Sequence, residues 1–110
     1  CGIVSGDKTD KVRDCNFKIF YGKLSTAPMI EQCPINMECT LIHTLGSNSH
    51  VIVIGRVDGT YISQEFLEDG ELNLDKLNPL LWIQKRSEYV AVGRSVGKAW
   101  SMGKTLKTTL

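Results

Sequence analysis

The chain has 110 residues, of which 42% are hydrophobic and 23% charged, a composition typical of one soluble globular domain. Thirteen basic and twelve acidic residues give a net charge of +1, which indicates no global attraction to nucleic acid or to an anionic membrane. Because no apolar run approaches the roughly 20 residues of a membrane-spanning helix and no secretory signal opens the chain, we expect a cytoplasmic protein.

The first predicted elements are a short helix and two short strands. Thr9 or Asp10 is placed to cap the helix, and Asn16 to end it. Residues 17–21 are aromatic-rich and partly alternating, which favours a strand. Residues 29–33 form a second candidate strand. A helix this short must pack on another element to be stable.

The middle of the chain carries the clearest strand pattern. Residues 35–45 alternate apolar and polar side chains, which predicts a half-buried antiparallel strand, and residues 46–49 read as a hairpin turn. Residues 50–57 are apolar on both faces, so we expect a strand that is buried on both sides. Asp58 and Gly59 then indicate either a second hairpin turn or a bulge in one long strand. The apolar face of the first strand comprises Ile35, Met37, Cys39, Leu41, His43 and Leu45.

The C-terminal third is predicted to hold an acidic loop and two further strands. Residues 63–79 are loop-like, with a turn at Asp69 and Gly70. Residues 80–83 and 89–92 are short apolar strands. Several strands with few convincing helices predict a mainly β barrel or sandwich.

The four cysteines, Cys1, Cys15, Cys33 and Cys39, are predicted to be reduced structural thiols. Their spacing matches no common zinc motif. Without a secretory signal, disulfide bonds are not expected.

No known hydrolase, metalloprotease or nucleotide-binding signature is present, but one cluster has the composition of an anion site. Ser5, Gly6, Lys8, Asp10 and Lys11 combine a hydroxyl, flexible backbone N–H groups and two ammonium groups in a few residues. Such donors are the parts from which anion sites are built. The alternative is a solvated, charged loop.

The histidines and aromatic residues carry weaker signals. His43 lies on the apolar face of its strand and is predicted to be a core residue. His50 opens the doubly apolar strand, a position that often lies at a barrel rim. Two histidines without nearby carboxylates do not indicate a metal site. Trp82, Tyr89 and Trp100 are candidates either for stacking on a planar ligand or for core packing.

Three segments follow one another along the chain: CGIVSG-x3-DKV, APMIEQCPINMECTLIHTLGSNSHVIVIGRV and LNPLLWI…YVAVGRSVGKAWSMGK. Together they resemble the C-terminal part of the flavin-reductase-like, FMN-binding split-barrel family, and within it the flavoredoxin branch. The resemblance runs over nearly the whole chain and rests on the ordered set, since no single motif is very specific.

The resemblance implies a split β-barrel of Greek-key topology that forms a homodimer and binds FMN non-covalently. Family members reduce flavin with NAD(P)H or exchange electrons with a redox protein. Family members also carry further strands before the matching region. We therefore expect residues 1–110 to be a single split-barrel domain that lacks its first strands.

The same resemblance implies a set of FMN-binding residues. Ser5 and Gly6, followed by Asp10 and Lys11, match the family's SG-x3-DK segment, in which the lysine contacts the FMN phosphate. Lys8 is a further candidate in this segment.

Two more positions match family residues near the flavin ring. His50 matches a histidine before an apolar strand, and Tyr89 matches an aromatic residue, although Val90 replaces the second aromatic that often follows it. The leading hypothesis is a flavin-binding oxidoreductase domain, with no catalytic side chain assigned. The alternative is a truncated, non-catalytic β domain that only self-associates.

Overall fold

The structure is a computed structural model that describes residues 2–107. Within these residues the chain is mainly β with three short α-helices, as predicted. The helices are α1 (Lys11–Asp14), α2 (Leu74–Leu77) and α3 (Lys104–Lys107). The strands are β1 (Ile19–Tyr21), β2 (Pro28–Ile30), β3 (Ile35–Ser47), β4 (His50–Ile62), β5 (Leu67–Glu68), β6 (Glu71–Leu72), β7 (Leu80–Ile83) and β8 (Glu88–Ala91).

The strands pair as antiparallel hairpins. In the described part of the chain, β1 pairs with β2, β3 with β4, β5 with β6, and β7 with β8. Each pair joins strands that are neighbours in sequence. The two ranges up to Leu77 and from Asn78 onward form separate compact units. The expectation that residues 1–110 form a single domain stays a prediction.

The first helix has the predicted cap. The Asp10 carboxylate accepts a 3.2 Å hydrogen bond from the Arg13 N–H, which satisfies one amide of the first turn. Asn16 adopts a left-handed φ of 54° just after the helix. Asparagine tolerates this conformation better than most residues, so it ends the helix where the sequence predicted.

Strands β3 and β4 form one long hairpin with a bulge on each strand. Glu38 pairs with Gly59 and Cys39 with Val57, so Asp58 is an extra residue on β4. On β3, Ile42 is the extra residue between two successive pairs. The second hypothesis for Asp58 and Gly59, a bulge within one long strand, is therefore confirmed.

Burial along the long hairpin differs from the prediction. β4 was expected to be buried on both sides, yet Val51, Ile52 and Val53 are each more than 60% exposed. Among the described residues β4 is hydrogen-bonded to β3 alone, so one hairpin partner leaves its two apolar faces open. The prediction for β3 is also wrong: Met37, on the predicted inner face, is 59% exposed, whereas Glu38, on the predicted outer face, is 1% exposed.

The described core is small and lies at the base of the long hairpin. Met29 of β2 is its one buried hydrophobic residue, and Glu38 is its buried charged residue. Phe20 of β1 packs edge-to-face on Tyr61 of β4, with ring centroids 6.1 Å apart. The β1–β2 hairpin is thus attached to the long hairpin by an apolar contact next to a buried carboxylate.

The 63–79 segment contains more local structure than the predicted loop. A short 3-10 helix, Gln64–Phe66, precedes the β5–β6 hairpin. Asp69 and Gly70 both have positive φ, as a two-residue hairpin turn requires. None of the described helices is both long and apolar enough to cross a membrane.

Candidate functional site

The 5–11 segment is closed by a tight turn. The Lys8 N–H donates a 3.1 Å hydrogen bond to the Ser5 carbonyl, and the Asp7 N–H donates a 3.3 Å hydrogen bond to the Ser5 hydroxyl oxygen. This hydroxyl keeps its own proton for a further acceptor. Ser5, Gly6 and Lys8 are exposed, so their donors face solvent.

The positive charges of this segment remain available. Asp10 caps α1, and Asp14 is paired with Arg13 at 2.9 Å. The ammonium groups of Lys8 and Lys11 form no ion pair with another residue in the 2–107 range. The segment therefore combines two ammonium groups without an ion-pair partner among the described residues and a serine hydroxyl, which is a donor set suited to an anion.

His50 opens β4 at the tip of the long hairpin, next to the turn, as predicted. It pairs across the hairpin with Ser47, and its ring Nδ1 lies 2.7 Å from the Ser49 hydroxyl. The residue is exposed. The prediction of a core histidine at His43 is wrong, because this residue of β3 is also exposed.

Tyr89 lies in the C-terminal unit, directly opposite Trp82 in the β7–β8 hairpin. The two rings are tilted by 49° with centroids 5.0 Å apart, and Tyr89 is 71% exposed. Trp100 is almost fully exposed outside this pair. The two hairpin aromatics thus pack on each other but not in a core, and their stacking on a planar ligand stays a prediction.

The predicted residues form one group and two single positions. Four of the six lie in the 5–11 segment, His50 lies at the tip of the long hairpin, and Tyr89 lies in the other unit. The group comprises Ser5, Gly6, Lys8 and Lys11. The assignment of all six residues to a cofactor stays a prediction.

Sequence reasoning missed Glu38, the buried polar side chain of residues 2–107. Its carboxylate accepts hydrogen bonds from the Leu24 N–H at 2.9 Å, the Lys23 N–H at 3.2 Å and the Tyr61 hydroxyl at 2.9 Å. The Leu24 N–H, followed by the Tyr61 hydroxyl, lowers the pKa of Glu38 below its ordinary value, against the opposing effect of burial. The same bond raises the pKa of Tyr61, because the hydroxyl donates to a carboxylate.

Two glycines make room for this cluster. A Cβ at Gly22 would lie 2.2 Å from the Tyr61 hydroxyl oxygen, and one at Gly59 would lie 2.5 Å from a Glu38 carboxylate oxygen. These glycines are the sequence feature that could have indicated the cluster, since each marks a place where another group approaches the backbone closely. The cluster connects the 22–24 loop to the long hairpin and is structural.

A second carboxylate holds the β4 bulge. Asp58 accepts a hydrogen bond from the Thr40 hydroxyl across the hairpin and a 2.8 Å bond from Arg56 Nε. The Thr40 bond, and then the Arg56 bond, lower the pKa of Asp58. The extra residue of the bulge is therefore fixed by its own side chain.

Comparison with known proteins identifies the chain's relatives. The flavin reductase like domain family matches residues 1–91. The flavoredoxin from Methanosarcina acetivorans is 38% identical with a TM-score of 0.86, over 96% of this chain and 56% of that one. The flavoredoxin of Desulfovibrio vulgaris (Miyazaki F) is 30% identical with a TM-score of 0.80, over 93% and 55%.

A more distant structure shares the fold alone. Nitrilotriacetate monooxygenase component B from Bacillus cereus is 20% identical with a TM-score of 0.64, over 80% of this chain and 46% of that one. No curated protein matches the chain. The chain therefore spans little more than half the length of the two flavoredoxins that it resembles.

Proposed function

The chain belongs to the flavin reductase like domain family, in its flavoredoxin branch, and on this premise we propose that it is the phosphate-binding part of an FMN-dependent oxidoreductase. The observation that carries the proposal is the 5–11 segment. Its two ammonium groups have no internal ion pair within residues 2–107. They stand beside a serine hydroxyl and a tight turn, and this donor set fits a phosphate monoester.

The proposed roles within the segment differ by residue. Lys11 and Lys8 would neutralise the phosphate charge, while the Ser5 hydroxyl and the Gly6 N–H would donate hydrogen bonds to its oxygens. No hydrogen bond with another described residue occupies the Gly6 N–H. Asp10 would act indirectly, because its cap on the Arg13 N–H fixes the start of α1, where Lys11 lies.

We assign His50 and Tyr89 to the flavin ring. The imidazole of His50 is exposed, and its Nδ1 is held near the Ser49 hydroxyl, which leaves Nε2 for another partner. Tyr89 keeps most of its ring accessible beside Trp82. Aromatic rings stack well on planar ligands, which supports this role.

Bound FMN would supply the electron transfer, with NAD(P)H or a redox protein as donor. The chain's own residues would bind and orient the cofactor, and no side chain is assigned a catalytic proton transfer. Cytoplasmic localisation belongs to the same proposal. The free thiols of Cys33 and Cys39 support it, since reduced thiols are typical of that compartment.

We also propose a homodimer. The exposed apolar residues of β4, such as Val51, Ile52 and Val53, form a surface that a second copy would cover. The same surface favours the alternative function, a non-catalytic β domain that only self-associates.

Two measurements on one sample separate these functions. Analytical ultracentrifugation reports self-association, and FMN fluorescence reports flavin binding at micromolar protein. The flavoprotein proposal predicts quenching of FMN fluorescence. A dimer without any change in FMN fluorescence would support the alternative and overturn flavin binding by this chain.

A further inference from the structure

An open cavity of about 310 Å³ lies at the base of the long hairpin, and no residue of the 5–11 segment lines it. Phe20 of β1 and Tyr61 of β4 form its aromatic walls, and Ser63 follows the end of β4. Cys33 and Glu31, between β2 and β3, line another side, and the lining is completed by Asn36 and Ile62. These residues are half-buried except Glu31, which is exposed. A cavity of this volume is at the small end of ligand sites.

The charges of the residues that line this cavity favour a cation. None of its lining residues is basic, and the Glu31 carboxylate forms no ion pair within the described chain. Behind the aromatic wall, the Glu38 carboxylate accepts the hydrogen bond of the Tyr61 hydroxyl at 2.9 Å. An anion entering the cavity would meet one unpaired carboxylate and a second negative charge behind Tyr61.

The aromatic walls favour the same class of ligand. Phe20 and Tyr61 pack edge-to-face with centroids 6.1 Å apart, and both rings border the open space. Aromatic rings attract cations through their quadrupole, most strongly where the cation loses part of its water. An apolar body beside the charge would gain from contact with the same rings.

We propose that this cavity binds a small organic cation, an ammonium group on an apolar body, between the Phe20–Tyr61 walls and the Glu31 carboxylate. The site is independent of flavin binding, since it takes the opposite charge and shares no residue with the 5–11 segment. Its selectivity comes from Glu31 for charge and from the two rings for the apolar body.

Protection of Cys33 tests the proposal on the 110-residue chain. The probe is benzyltrimethylammonium, and the readout is the rate of alkylation by iodoacetamide at each cysteine, measured by peptide mass spectrometry. We expect the probe at millimolar concentration, the range typical of a ligand of this size, to slow alkylation of Cys33 several-fold. Cys39, which does not line the cavity, is the internal control and should react at an unchanged rate.

Two comparisons make the result decisive. Benzenesulfonate, an anion of similar size, should give no protection. Glu31→Lys should abolish protection by the cation while leaving the unfolding midpoint close to that of the parent chain, since residue 31 is exposed. Equal protection of Cys33 and Cys39, equal protection by the anion, or full protection in a folded Glu31→Lys chain would each overturn the proposal.

Discussion

The Tyr61 hydroxyl donates a 2.9 Å hydrogen bond to the Glu38 carboxylate, across the two strands of the long hairpin. The same carboxylate accepts the N–H groups of Lys23 and Leu24, so one side chain joins both strands to the loop after β1. A buried carboxylate is tolerated only when its oxygens are satisfied in this way. The base of the hairpin therefore depends on the charged form of Glu38.

We predict that Glu38→Gln lowers the midpoint of thermal unfolding. The amide keeps the shape of the carboxylate but replaces one acceptor oxygen with an N–H₂ donor. Because Lys23 and Leu24 donate to different oxygens, this group would face the N–H of one or the other. Glu65→Gln, at an exposed position in the same unit, is the matched control and should change the midpoint little. Equal midpoints for the two variants would show that the Glu38 cluster does not stabilise the fold.

Stability should also depend on pH in a direction set by this pair. Since the folded-state pKa of Glu38 lies below the ordinary 4.5, its contribution is complete above that value and is lost as the pH falls through the lower, folded-state pKa. The pKa of Tyr61 is raised above 10.0, so its contribution is complete below that value and is lost as the pH rises through the folded-state pKa.

Urea denaturation between pH 3 and pH 11 measures this dependence. The parent chain should lose stability at both ends of the range, and Glu38→Gln should show a flatter slope at each end. If Glu38→Gln keeps the full acid slope of the parent chain, that slope arises from other carboxyl groups and not from Glu38.

Glycine at position 59 is predicted to be required for packing. In Gly59→Ala the new Cβ would lie 2.5 Å from a Glu38 oxygen that is already held by hydrogen bonds, so the strand or the carboxylate must shift. Overpacking of this kind costs about 1–3 kcal/mol of unfolding free energy. Gly93→Ala, with nothing within 4 Å of the new Cβ, is the control. Chemical denaturation of both variants gives the comparison, and a loss at Gly93 as large as that at Gly59 would refute the steric explanation.

The Asp58 cluster gives a local prediction. In Asp58→Ala the bonds from Thr40 and Arg56 are lost, so the β4 bulge loses the contacts that fix it. Amide hydrogen exchange of the neighbouring residues Cys39 and Val57 should accelerate, while exchange in the β1–β2 hairpin should not. Unchanged exchange at both neighbours would mean that the backbone holds the bulge by itself.

Local patterns predicted the strands of this chain better than their burial. The two short strands after α1, the long alternating strand and the two C-terminal strands all form close to their predicted places, because turn residues and side-chain alternation act over a few positions. Burial depends on what covers a strand, which the local sequence does not contain. The apolar pattern of Val51 and Ile52 therefore could not show that these side chains are exposed in the β3–β4 hairpin.

The candidate site was also predictable only where its residues are close in sequence. The residues of the 5–11 segment are neighbours in sequence, so their grouping was predictable. Glu38 was not, because its amide partners at Lys23 and Leu24 lie fourteen or fifteen residues away in a loop without a motif. The alternation of β3 assigned Glu38 to the solvent face, and only the partners brought by the fold make its burial possible.

The most direct test of the central claim compares FMN with riboflavin, which lacks the phosphate. Both are titrated by fluorescence against the parent chain, Lys11→Ala and the control Lys76→Ala, which replaces an exposed lysine in α2. Because hydrogen bonds to charged groups are among the stronger polar contacts, we expect Lys11→Ala to weaken FMN binding about tenfold. Riboflavin should bind more weakly than FMN and equally to all three chains. Equal affinities of the parent chain for FMN and riboflavin, or an unchanged FMN affinity in Lys11→Ala, would contradict phosphate binding by the 5–11 segment.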